Sequence, residues 1–253
     1  MKRLVPLLTL VFVLATTPSR AALTVGSTGT GIQTFGTLPA AGNWSTLSIA
    51  GGAADITTAA ALTTRVQGLT AANVNLTLGT SATQPPDVIE SFQWNSAGLF
   101  LQSRPSGVAF NVLMATLQNT TGAAGPGLTV SYTFGRELQT GATNAQEDVP
   151  GFLAFYSLTG ASNSWQAIPA LSTGNPGTLN ANITLGSWAN NSSLYLLWAD
   201  DNGPASSTAP NVEGGYTIDN FSATVVIPEP STGLLGLIGA AVLGFALRRR
   251  RSS

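Results

Sequence analysis

Leu128-Thr129-Val130-Ser131-Tyr132-Thr133-Phe134 is the stretch whose reading decides the fold. Leu128, Val130, Tyr132 and Phe134 alternate with three hydroxyl residues. That period of two marks a strand with one face in a core and the other in water. Val74, Leu76 and Leu78 repeat the pattern, and further strand candidates lie at 108–117, 152–158, 179–185, 194–199 and 216–227. Clusters of Gly, Pro, Ser and Asn at 122–127, 172–177 and 200–204 separate them as turns. One short helix is expected within 53–67, capped by Asp55. Many short strands with turn signals between them predict an all-β fold, an antiparallel β-sandwich or jelly roll.

Around this core the composition is polar through Ser, Thr, Asn and Gln rather than through charge. The chain of 253 residues holds 10 basic and 11 acidic residues, no His and no Cys. Without cysteine there is no disulfide, so stability must come from the core. Without His or Cys there is no Ser-His-Asp or Cys-His catalysis and no imidazole zinc site. Enzyme chemistry would have to rest on carboxylates, Ser/Thr, Tyr or a Ca²⁺ site.

The two ends read as signals. Lys2 and Arg3, the apolar run 4–15, and small residues at Ser19 and Ala21 make 1–21 a secretory signal peptide. At the other end Pro228-Glu229-Pro230 precedes an uncharged apolar run, 232–247, and then Arg248, Arg249, Arg250 and Arg251. Sixteen residues of helix span about 24 Å at ~1.5 Å each, close to what a transmembrane helix needs. The four arginines hold the C-terminus in the cytoplasm, so everything before Pro228 faces outward. The two prolines keep the peptide before the membrane extended. The exported domain is then 22–227. It keeps three arginines against ten acidic residues, a formal charge of −7, so no basic patch for nucleic acid can be built.

These 26 terminal residues, in order and spacing, resemble the PEP-CTERM sorting signal of bacterial surface proteins. The resemblance implies that Pro228, Glu229 and Pro230 are recognised by an exosortase, a membrane-embedded cysteine transpeptidase, and that the tail is removed. It implies a membrane-anchored precursor that ends at the cell surface or outside the cell. It implies nothing about the chemistry of the preceding domain.

Within that domain, Leu194 to Trp198 run into Asp200-Asp201-Asn202-Gly203, and a final segment carries Ile218-Asp219-Asn220. A strand ending in an acidic loop, then a last strand with Ile-Asp-Asn, resembles surface jelly rolls of the MAM and carbohydrate-binding-module type. If loop and strand are sheet neighbours, Asp200, Asp201 and Asp219 should lie within about 10 Å of one another. Asp200, Asp201, Asn202 and Asp219 are then the candidate Ca²⁺ ligands. The alternative is a solvated turn, with Asp219 bonding nearby backbone amides. Trp44, Trp94, Trp165, Trp188 and Trp198 are candidates for a sugar platform, although most tryptophans of a sandwich fill its core.

The expectation for function is an exported, non-enzymatic surface or matrix protein with a structural or adhesive role, requiring no cofactor unless calcium binds. A carbohydrate-binding module on exopolysaccharide is the alternative reading, and a secreted hydrolase the second.

Overall fold

The computed structural model describes residues 22–84, 91–137, 148–203 and 215–227. The expected signal peptide, sorting motif, membrane helix and arginine cluster lie outside them. Among the described residues no helix is long and apolar enough to cross a membrane.

Among the described residues twelve strands follow one another: β1 Leu23–Val25, β2 Trp44–Ile49, β3 Gly79–Ser81, β4 Gln93–Asn95, β5 Phe100–Ser103, β6 Phe110–Asn119, β7 Gly125–Glu137, β8 Leu153–Ser157, β9 Gln166–Ala167, β10 Gly177–Trp188, β11 Ser193–Asp201 and β12 Gly215–Val226. Among the described residues there is one α-helix, α1, at Ala59–Gln67. The strands form two six-stranded sheets. The first runs β1-β6-β11-β8-β9, with β2 also paired to β6; the second runs β10-β7-β12-β5-β4-β3. The all-β sandwich expected from the alternation is what forms.

Side-chain period places each strand. In β7, Leu128, Val130, Tyr132 and Phe134 enter the core between the sheets, and Thr129, Ser131 and Thr133 lie on the outer face. Strand β6 is different, with eight consecutive buried residues from Phe110 to Leu117. Its Leu113, Ala115 and Leu117 face the sandwich core. Its Phe110, Val112 and Met114 join a second apolar cluster with Leu62 and Val66 of α1. The first sheet is therefore covered on both faces, which is why β6 reads as a continuous apolar run.

The segment expected as one helix divides in two. Ala53–Asp55 is a single 3-10 turn, in which Asp55 accepts from the Gly52 N–H at 3.0 Å. The α-helix starts after Thr58, whose hydroxyl accepts from the Ala61 N–H at 3.2 Å. Thr58→Ala is expected to lower stability by about 1 kcal/mol, read by chemical denaturation; an unchanged midpoint would mean that packing alone holds α1. The expected strand through Val74, Leu76 and Leu78 also does not form. Leu76 makes one bridge to Thr46 and is half exposed, and the strand nearby begins at Gly79.

The Ile-Asp-Asn segment is a β-bulge. The β12–β7 register shifts between Asp219 and Ser222, and Asn220 has φ 51°. Before it Tyr216 and Ile218 enter the core; after it Phe221, Ala223 and Val225 do. One extra residue thus switches the inward set from even to odd positions.

Candidate functional site

Strand β11 continues through Asp200 and Asp201, so the expected acidic loop is the buried end of a strand. Asp200 pairs with Asn111 and Asp201 with Phe110 across the β6–β11 ladder. Each aspartate is 1% exposed. Successive strand residues point to opposite faces. Asp200 follows Trp198 toward the second sheet, where the Ser103 hydroxyl of β5 donates to its Oδ2. Asp201 faces the other way, and its Oδ2 accepts from the Gly203 N–H at 3.2 Å. Asn202 donates through Nδ2 to the Val108 carbonyl.

Burial dominates the electrostatics here. It pushes the Asp200 carboxyl well above the usual range; the Ser103 hydrogen bond opposes this, and the charge of Asp201 adds to it. Burial raises Asp201 to about 6, with the Gly203 N–H opposing and Asp148 adding. Oδ1 of each aspartate and both polar atoms of the Asn111 side chain are buried without a hydrogen-bond partner among the described residues.

Asp219 belongs elsewhere. Strand β12 lies in the second sheet between β7 and β5, whereas β11 lies in the first between β6 and β8. Strands β11 and β12 are therefore not the sheet neighbours expected, although Asp200 reaches the second sheet at Ser103, which pairs with Tyr216 of β12. Asp219 turns back on its own bulge, accepting from the Asn220 N–H at 2.6 Å and the Asn220 Nδ2 at 3.0 Å. This is the backbone-capping alternative. Among the described residues no group of three or more acidic side chains is placed to hold a metal ion.

The tryptophans are core. Trp44, Trp165, Trp188 and Trp198 are at most 1% exposed, and Trp94 is partly buried against the same core. Trp44 and Trp198 stack at 5.8 Å, and Phe221 meets each edge-on.

Sequence reasoning missed a cavity of about 460 Å³ lined by the 32–40 segment with Leu23, Asn43 and Trp44. It carries no charged side chain. Ile32 and Leu38 are exposed at its wall, 67% and 41%. The backbone of 34–39 makes one hydrogen bond among the described residues, from the Trp94 indole to the Phe35 carbonyl at 2.7 Å. Phe35 sits at φ 49°, a strained conformation for a bulky residue. Its ring packs edge-on against Trp44 at 5.2 Å, which holds the turn. Gly31 at φ 66° is the nearest local signal, and it marks a turn rather than a site. A second, smaller hollow of about 280 Å³ lies between α1 and Leu153, Phe155, Ala167 and Pro169 and is apolar.

The model of the PEP-CTERM protein-sorting motif matches residues 226–251. The motif marks an exported protein, held in the membrane before processing and then placed at the cell surface. None of the curated proteins matches the chain. Among solved structures, the enzymatically active domain of tailspike protein 4 of bacteriophage CBA120 aligns with 80% of this chain and 22% of that one, at 10% identity and a TM-score of 0.35. The chain thus spans about a fifth of that structure, and a likeness so distant carries no argument.

Proposed function

We propose that the exported domain is a non-enzymatic structural or adhesive protein of the cell surface or matrix, freed from its membrane tail at Pro228-Glu229-Pro230 by an exosortase-type transpeptidase. The observation that carries this reading is where the acidic groups sit. Neither cavity described above is lined by a carboxylate. The two buried aspartates point to opposite faces of one sheet, so they do not flank a common substrate as a hydrolytic pair must. Incubating the 22–227 fragment with polysaccharide and aryl-glycoside panels is expected to release no reducing ends or aglycone. Turnover abolished by Asp200→Asn or Asp201→Asn would overturn the reading.

Processing has its own test. Changing Pro228-Glu229-Pro230 to three alanines is expected to leave the tail attached, so that the intact mass corresponds to a chain running to Ser253. A variant with the mass of the wild-type product rules out cleavage at this motif.

A second reading, binding of a neutral saccharide from exopolysaccharide, is favoured by the chemistry of the 32–44 cavity. Open peptide groups, Thr34, Thr37 and Asn43 offer donors and acceptors, and Ile32 and Leu38 offer apolar contact, without charge. On a glycan array the domain would then retain an uncharged glycan, and Leu38→Asp would weaken it by about tenfold or more. Absence of binding to every glycan dismisses this reading and leaves the first intact.

A further inference from the structure

A sheet edge invites pairing by another strand, and most edges of this sandwich are short or covered. In the first sheet β9 has two residues and β1 three. Beside β1, strand β2 has six, and the 74–76 segment lies along it. Thr46 and Leu76 exchange backbone hydrogen bonds of 3.0 and 3.1 Å, and the Ser45 hydroxyl donates to the Val74 carbonyl at 2.8 Å. In the second sheet β3 has three residues. The remaining edge is β10, with twelve.

Strand β10 pairs with β7 along one side only. An antiparallel ladder uses the N–H and C=O of alternate residues, so those of the other residues point away from β7. Two side chains reach carbonyls of β10, the Tyr156 hydroxyl at Thr184 and the Asn119 amide at Trp188, at 3.3 and 2.9 Å. Both lie toward its C-terminal end. The strand contains no charged residue and no proline, two usual devices that blunt an edge, and its one register shift lies between Thr184 and Trp188, leaving 177–184 regular. Thr178, Asn180, Asn182 and Thr184 are exposed, and Ala181, Ile183 and Leu185 are buried.

We propose that β10 is the docking edge for β10 of a second copy of this chain. The two strands pair antiparallel about a two-fold axis, and the second sheets of the two copies become one sheet of twelve strands. Self-pairing sets Thr and Asn opposite Thr and Asn on the outer face, with no like charges facing, although the domain as a whole is acidic. The contact is isologous, and the other edges are too short or too covered to propagate it, so assembly closes at two copies. A precursor tethered in a membrane meets other copies of itself at raised effective concentration and in a common orientation, which favours the same chain over a foreign strand.

The absence of cysteine supplies the test. Thr178→Cys, Asn180→Cys, Asn182→Cys and Thr184→Cys, each in the full chain in the cells that export it, are oxidised mildly and separated without reductant. In a two-fold antiparallel pair the indices of facing residues have a constant sum. The disulfide-linked homodimer should therefore rise and fall about one position. At its maximum it should exceed by at least about tenfold that of Thr224→Cys, an exposed position two strands inside the same sheet, because thiols far apart cannot bridge. Adding lysines at both flanking outward positions should abolish the maximum, since the residue two after it in one copy faces the residue two before it in the other, and like charges then meet. A flat profile equal to Thr224→Cys, a maximum that persists with both lysines, or a crosslink of a mass other than twice the chain would each overturn the proposal.

Discussion

Replacing Trp198 with alanine is expected to destabilise the domain by about 4 kcal/mol, the range for removing a buried Trp from a close-packed core. Trp198 is 1% exposed on β11 and touches both sheets. It stacks on Trp44 of β2 at 5.8 Å, meets Tyr132 of β7 edge-on at 5.8 Å and Phe221 of β12 at 6.0 Å. The alanine would leave a cavity between four strands that cannot close without moving the sheets. The Tyr132 hydroxyl, which donates to the Leu171 carbonyl at 3.0 Å, would lose its neighbour ring. Thr224→Ala, on the exposed face of β12, should change stability by no more than about 0.5 kcal/mol. Urea unfolding of the two variants measures the contrast. A Trp198→Ala loss as small as that of Thr224→Ala would mean that this cluster is not the centre of the core.

The second large effect is on pH. Asp201 titrates at about 6 in the folded domain, and Asp200 is raised further by burial. An unfolded aspartate titrates at about 3.9. Above that value the unfolded chain releases protons that the folded one keeps, so these groups lower stability as pH rises from about 4. For Asp201 the loss amounts to about 3 kcal/mol and is complete a little above pH 6, since each pH unit between the two titration points costs ~1.4 kcal/mol. Asp200 extends the loss to higher pH, and burial moves Glu137 the same way, to about 7. The melting midpoint should therefore fall between about pH 4.5 and pH 7.5. Asp201→Asn, which keeps an acceptor for the Gly203 N–H, should flatten the lower part of that fall. A midpoint that rises over this interval would show that both carboxylates ionise without penalty.

Strands with one wet face were legible because a period of two survives in the residues themselves. The stretches around Val130 and Ile183 became β7 and β10 close to where the alternation put them. The strands β1, β3 and β4, of three residues each, are too short to show any period. The cavity at 32–44 is built by an irregular segment whose shape depends on Phe35 packing against Trp44, and no local pattern encodes that.

The sorting tail was legible from order alone, because a translocation machinery and a peptidase read an extended chain: a tripeptide, an apolar run and a charge cluster. Their meaning does not depend on folding, and the sorting-motif match over 226–251 agrees. The acidic pair shows the opposite case. Two adjacent aspartates before Asn-Gly are, by composition, a solvated turn, since exposing charge is what a free chain does. Pairing of Asp200 with Asn111 and of Asp201 with Phe110 draws them into the sandwich, while Asp219 stands on a strand of the other sheet. Local composition thus determined the strands, the missing chemistries and the destination. Which residues meet, which carboxylates are buried and which edge stays open were decided by long-range strand pairing, whose free energy comes from a core that no single segment contains.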